Sequence, residues 1–329
     1  MDKLRISLMN SHGGIMTNYE CTAACRHCIV SSSPSRSGGY MTEEVMDDVC
    51  RMFNEGGCDS VHIGGGEPFM DFDGLVTLLN TCARYNIAVE YAETNAGWAV
   101  SDDVITRRLN VLAKAGLTTL CISLDPFHAE FVPYSMPLKL AESCWKAGLG
   151  YFLWQERFLP MMGGVDPNKT HDRAALENII GGNYIATTAN IYGLKIGGRA
   201  VNIEAEYTQN KPIEKILDDS PCKSLLSTGH FHVDIYKRFI PPGCTGIAVP
   251  LREIMDGLEP GRYPAFEALH YGGVKALFDL AVKEHAFVPN PGGYTSSCAL
   301  CFYIRYFLSK QDGYPELDAE HYEASFDFV

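Results

Sequence analysis

Two apolar periods alternate along the chain. From residue 15 to about 200, short β-rich runs are separated by stretches whose apolar residues recur every three or four positions. The helical stretches are the clearer signal. In TEEVMDDVCRMFNEGG (42–57), Val45, Val49, Met52 and Phe53 share a face, with Thr42 as N-cap and Gly56–Gly57 as the stop. DFDGLVTLLNTCARY repeats the pattern through Phe72, Leu75, Leu78, Leu79 and Cys82. Ser101 caps SDDVITRRLNVLAKAG, which ends at Gly116, and a weaker helix over 137–147 stops at Gly148. Between these lie GGIMTNYE (13–20), SVHI (60–63), IAVEYA (87–92), LTTLCISL (117–124) and LGYFLWQ (149–155), and a further strand is predicted within NYIATTANIYGLKI (183–196).

Strand–helix–strand repeats with short links imply a parallel sheet with helices outside. The units are too few for a closed eight-fold barrel, so the pattern predicts an α/β fold built as an open, partial parallel barrel over residues 1–200. Beyond 200 the rhythm breaks. HFHVDIYKRFIPPGC reads as a hairpin, a final cysteine pair opens a helix, and residues 201–329 are expected to form a second, smaller domain.

Composition changes this picture in two places. The net charge of −13 disfavours a nucleic-acid surface, which needs clustered Lys and Arg. No run of 18 apolar residues is present and the first residues lack a signal-peptide core, so no membrane partner and a cytoplasmic location are expected. The cysteines matter more. Twelve are many for a reducing compartment, where disulfides are rare. Cys50, Cys58, Cys82, Cys121 and Cys144 are scattered through helix and strand patterns as small buried side chains. Cys21, Cys25 and Cys28, in CTAACRHC, instead form C-x3-C-x2-C. Zinc fingers and ordinary iron–sulfur clusters use four protein ligands. Three thiolates leave one iron of a cubane [4Fe–4S] cluster open, and an open metal position marks chemistry rather than scaffolding.

A second motif, GGGEPF (64–69), directly follows SVHI. Its glycines let backbone approach a ligand closely, and Glu67 puts a carboxylate at the same strand end as the cysteines. Together the two motifs resemble those of the radical S-adenosylmethionine (SAM) enzymes. That resemblance covers roughly residues 15–200 and implies a (β/α)6 partial barrel, consistent with the periodicity. It further implies a [4Fe–4S] cluster on Cys21, Cys25 and Cys28 that chelates SAM, and a reductant of the flavodoxin or ferredoxin type. In the resemblance His27 takes the aromatic position before the last cysteine, and Gly65, Gly66, Glu67 and Pro68 match the motif that holds the SAM amine. ETNAGW (93–98) resembles the third-strand ribose motif through Asn95, and SLD (123–125) the fourth-strand motif through Ser123. GGRAV (197–201) is similar to a glycine segment near the SAM methionine. The implied reaction is reduction of SAM to methionine and a 5′-deoxyadenosyl radical, which abstracts a substrate hydrogen.

Cys222, Cys244, Cys298 and Cys301 supply four more thiolates, with no open position. This set resembles the Twitch and SPASM auxiliary-cluster domains and implies a second [4Fe–4S] cluster that relays electrons or stabilises the fold. Structural zinc fits the same spacing. Lys223, Arg238 and His232, near these cysteines in sequence, receive no role.

Enzymes of this layout modify ribosomal peptides, by epimerisation or oxidative crosslinking, or oxidise small molecules such as aminocyclitols. IVSSSPS, SLDPFHAEF and SSCALC are similar to the arrangement in radical SAM peptide epimerases, which makes a peptide the expected substrate. An epimerase returns hydrogen from a thiol, and the residues after Cys222 and Cys244 are Lys223 and Thr245. Cys121 is the substitute donor: on a strand it shares the face of Ser123, about 6–7 Å deeper. For an oxidative outcome Asp125, His128, Glu156 and His12 are base candidates by residue type. A non-catalytic iron–sulfur or zinc protein is the reading from another class, and it leaves the GGGEP motif unexplained.

Overall fold

The computed structural model describes residues 3–36, 38–217 and 220–327. Five strands and their crossover helices follow the predicted rhythm: β1 (His12–Met16), α1 (Glu43–Gly56), β2 (Ser60–Gly64), α2 (Phe72–Arg84), β3 (Ala88–Thr94), α3 (Asp102–Lys114), β4 (Thr119–Ser123), a short α4 (Pro126–Ala129), α5 (Ser135–Ala147) and β5 (Gly150–Trp154). The caps are those the sequence names. Thr42 accepts from the Val45 amide, Ser101 from the Val104 amide, and α1 closes on Gly57 at φ 78°, a left-handed turn that favours glycine.

Strands β1 to β5 pair in parallel, in the order β5-β4-β3-β2-β1. Their alternation sorts side chains onto two faces. Val61, Ile63 and Ala92 face the helices and join one continuous core with Val49, Phe53, Leu78 and Leu109. Phe53 is fully buried, worth roughly 1.5–3 kcal/mol for a side chain of this kind. The other face lines the concave interior with Gly14, His62, Tyr91, Glu93, Cys121, Ser123, Phe152 and Trp154.

The sixth unit departs from expectation. Residues 183–196 hold a helix, α7 (Tyr184–Tyr192), not a strand. Its β-branched and aromatic content reads as strand, but Tyr184, Ile185, Thr188 and Ala189 are buried at helical spacing, and the helix packs beside Phe127 and Phe158. Tertiary packing overrides propensity here. Helices α6 (Arg173–Ile180) and α8 (Ala200–Glu204) flank it. Strand β5 is therefore the outermost strand of the sheet on that side, with a nearly continuous exposed surface.

The sixth parallel strand, β6 (Phe231–Val233), adds at the other edge, beside β1. It forms the expected hairpin with β7 (Arg238–Ile240), and β8 (Val249–Pro250) completes one eight-stranded sheet. The C-terminal segment thus shares the sheet of the barrel. Helices α9 (Leu251–Asp256), α10 (Pro264–His285), α11 (Ser297–Leu308) and α12 (Ala319–Ala324) follow. Among the described residues no helix is long and apolar enough to cross a membrane.

Candidate active site

The loop after β1 carries Cys21, Cys25 and Cys28 at the C-terminal end of the strands, where open α/β sheets place their chemistry. Cys21 and Cys25 are buried and Cys28 is half-buried. Burial pushes the Cys21 and Cys25 thiols up, and Glu67 adds to the effect at Cys21. The sulfurs nonetheless face donors. Ala23 N lies 3.4 Å from the Cys21 sulfur, Asn95 Nδ2 3.5 Å from it, and Ser32 N 3.4 Å from the Cys28 sulfur. His128 hydrogen-bonds the Cys25 sulfur. Such a donor set suits thiolates held on iron, so the three cysteines fit the cluster that the motif implies.

The glycine motif explains how the loop is held. Gly66 N donates to Asn18 O and Glu67 N to Glu20 O, both at 2.9 Å. A Cβ on Gly66 would overlap the Glu20 carbonyl oxygen, so only glycine permits this approach. Pro68 opens a single 3-10 turn. The Glu67 carboxylate is taken up within the fold: it accepts from Phe69 N at 3.1 Å, Thr94 Oγ1 at 2.9 Å and Asn95 N at 2.7 Å. Glu67 thus ties the end of β2 to the end of β3, and burial pushes its carboxyl up to about 7. Asn95 is not turned toward open space either. Its Nδ2 donates to Thr22 Oγ1 at 3.0 Å and its Oδ1 accepts from Gly97 N at 2.8 Å.

His27 is enclosed by rings: Phe127 stacks on it at 4.9 Å, and Tyr192 and His128 meet it edge-on at 4.8 and 5.1 Å. Burial lowers its pKa to about 4, so it is neutral at pH 7. Cys25, His27 and His128 bring ligand atoms within 4.8 Å of one another. Asp125, a base candidate by residue type, caps α4, accepting from His128 N at 3.0 Å and pairing with His128 Nδ1 at 2.7 Å. Burial raises its pKa, but the opposing pull and hydrogen bonds of His128 hold the carboxyl below its ordinary value. His12 is exposed and bonded to Ser60 and Glu90 at the opposite strand ends, away from the cysteine loop. Glu156 is exposed just after β5.

Ser123 is half-buried at the end of β4, beside Trp154 in the register. Cys121 sits two residues deeper on the same face, between Glu93 and Phe152. It is 7% exposed, and burial with Glu93 raises its pKa, so it stays a thiol. GGRAV docks on the cysteine loop. Gly198, at φ 51°, packs against Cys28 O and Ile29 O, Arg199 N donates to Cys28 O, and Arg199 Nε donates to Cys25 O, the last two at 3.0 Å.

The second cysteine set also converges. Cys222, Cys244, Cys298 and Cys301 lie in mutual electrostatic range around the buried Arg305 guanidinium. Cys298 is the exposed member and Cys301 is buried. Arg305 Nη1 is anchored on Thr245 O and the Tyr322 hydroxyl at 2.9 Å, while its Nε and the Thr245 hydroxyl are buried without partners. A buried cation with an unused donor suits a group carrying several thiolates. Arg238, left without a role, bridges Asp234 and Asp318 in a partly buried network with Tyr19.

Sequence reasoning missed three residues. Arg305 is four positions after Cys301, one helical turn away, a spacing that would have found it. Glu93 is two before Asn95 and faces the interior, where burial pushes its carboxyl up to about 7. Arg199 carries no sequence signal beyond its glycines.

Comparison with known proteins matches the segment that carries the first site. Residues 15–145 match the radical SAM superfamily profile. A Bacillus subtilis (strain 168) relative named "Putative peptide biosynthesis protein YydG" is 26% identical over 128 residues, so the match spans 39% of this chain and 40% of that relative's length. Among solved structures, a histidine-tagged form of anSMEcpe with bound AdoMet aligns at 11% identity over 91% of this chain and 96% of that one, TM-score 0.46. Streptococcus suis SuiB bound to precursor peptide SuiA aligns at 16% identity over 90% and 76%, TM-score 0.38. BtrN in complex with AdoMet and 2-DOIA aligns at 14% over 76% and 74%, TM-score 0.39.

Proposed function

We propose that this chain is a radical SAM oxidoreductase that modifies a ribosomally made peptide, by epimerisation or oxidative crosslinking. The carrying observation is the loop with buried Cys21 and Cys25 and half-buried Cys28, pinned by the GGGEP backbone at the mouth of the concave face. Bound there, a [4Fe–4S] cluster and SAM supply a hydrogen-abstracting 5′-deoxyadenosyl radical.

The peptide is supported by β5. An outermost strand offers unpaired backbone groups, and an extended peptide pairs with such an edge. Tyr151, Phe152 and Trp154 are 39%, 37% and 44% exposed there, and Phe152 and Trp154 flank Cys121 and Ser123. The YydG name is in keeping with a peptide substrate.

Within the site, Cys121 favours epimerisation. A thiol that burial keeps protonated can give a hydrogen atom to a substrate carbon radical. The thiyl then needs one electron and one proton, which a flavodoxin or ferredoxin-type reductant and solvent supply. Arg305 and its four cysteines suit a second cluster as the route for that electron.

The test uses anaerobically reconstituted protein, SAM, dithionite and a short peptide encoded beside its gene. In D2O, epimerisation through an exchangeable thiol leaves one deuterium in the peptide. Crosslinking removes two hydrogens instead. No 5′-deoxyadenosine without or with peptide overturns the proposal.

A further inference from the structure

The floor of the concave face holds a cluster that the radical chemistry does not use. His62 on β2 and His232 on β6 both pair with Gly14 of β1, one on each side. Their rings meet over that glycine, with Nε2 to Nε2 at 3.1 Å. A Cβ at position 14 would overlap His232 Cδ2 and lie 2.6 Å from His62 Nε2. Any side chain there would part the rings. His230, just before β6, stacks on His62 at 4.7 Å with planes 8° apart. The ligand atoms of the three rings lie within 4.8 Å of one another.

His62 and His232 both turn Nε2 to the same point over Gly14, as two ligands of one ion would. An unperturbed imidazole is largely neutral at pH 7, so all three rings can present a lone pair to an ion. Glu90, which acts electrostatically on His62 and His230, adds negative charge beside the site.

We propose that His62, His230 and His232 form a three-imidazole site for a zinc-type divalent ion, the exposed His230 turning out of its stack on His62 to bring a nitrogen to the ion, with a fourth position open to solvent. Metal–nitrogen bonds of about 2.0–2.1 Å put two tetrahedral ligand nitrogens about 3.3 Å apart, close to the separation seen. Neutral imidazole suits zinc, copper and nickel. The ion would tie β2 to β6 across β1, and so anchor the C-terminal segment to the barrel. The exposed His230 leaves an entry path from solvent.

Zn2+ is titrated into full-length protein with its iron–sulfur clusters reconstituted, in competition with a chromophoric chelator. One equivalent binds per chain, and His230→Gln and His232→Gln each weaken it at least about a hundredfold, since even outer-shell changes cost ten- to a hundredfold. His230→Gln changes an exposed side chain and spares the core. Absence of binding, or unchanged affinity in both variants, overturns the proposal. Zinc-edge absorption on the wild type decides without any variant. A shell of nitrogen and oxygen at about 2.0–2.1 Å supports the site, and a sulfur neighbour at about 2.3 Å assigns the zinc to cysteines and overturns it.

Discussion

Asp125 holds His128 through two contacts, its backbone N–H at 3.0 Å and its ring Nδ1 at 2.7 Å. The ring is thereby fixed with its other edge on the Cys25 sulfur. Burial lowers the His128 pKa, but Asp125 and Cys25 overcome it and keep the ring protonated. A cation donating to a ligand sulfur stabilises the reduced, more negative state of a cluster held there. His128→Gln should therefore retain the first cluster's iron but lower its midpoint potential. A lost hydrogen bond of about 1 kcal/mol corresponds to tens of millivolts for one electron. Spectroscopic redox titration reads the shift, and an unchanged potential removes His128 from this role.

Arg199 is 2% exposed and donates to the Cys25 and Ser32 carbonyls of the cysteine loop. Charge-assisted bonds of this kind are worth more than neutral ones. Arg199→Ala should destabilise the protein by about 2–4 kcal/mol and reduce iron retention at the first site. Thermal melting and iron analysis on the same preparation check both effects.

The auxiliary site makes a stoichiometric prediction. With two [4Fe–4S] clusters the protein carries about eight iron per chain. Cys298→Ser combined with Cys301→Ser should leave about four, with SAM cleavage intact. Zinc at that position in the wild type would replace the electron-route argument with a structural one.

Much of this was legible in the chain. Caps at Thr42 and Ser101 and the 3.6-residue periodicity located the barrel helices because those signals are local. The site motifs were legible because each sits at one strand end. Pairing between β1 and β6 was not, since it joins residues more than 200 positions apart and leaves no local trace. The same holds for the His62–His232 contact. Glu67 was correctly placed at the strand end, but its carboxylate direction depended on β3 donors that spacing does not reveal.

Glu93 gives the pH dependence. Burial raises its pKa to about 7, from an ordinary value near 4.5, with Glu67 adding to the shift. The folded state therefore binds the proton more tightly than the unfolded state. Stability contributed by this group is complete below about pH 4.5 and is lost as pH rises through 7. Glu93→Gln should then melt like the wild type near pH 4.5 and gain on the order of 1–2 kcal/mol over it at pH 8, a figure discounted because the residue is half-buried. Melts at the two pH values test the sign.

Cys121 separates the two halves of the proposed reaction. Its thiol lies on the interior face two residues below Ser123, and burial with Glu93 disfavours the thiolate. A protonated thiol can give a hydrogen atom, which a thiolate cannot. Hydrogen abstraction from substrate does not need that atom, but quenching of the substrate radical does. Cys121→Ala should therefore leave the rate of 5′-deoxyadenosine formation within about twofold while lowering epimerised product by about a hundredfold, the scale of a lost proton- or hydrogen-transfer group. Cys121→Ser, with nearly the same volume and a stronger O–H bond, should behave as Cys121→Ala does, which separates hydrogen donation from packing. Full product formation by the serine variant would place the donor elsewhere. Equal loss of 5′-deoxyadenosine and product in both variants would make Cys121 a packing residue of the interior face.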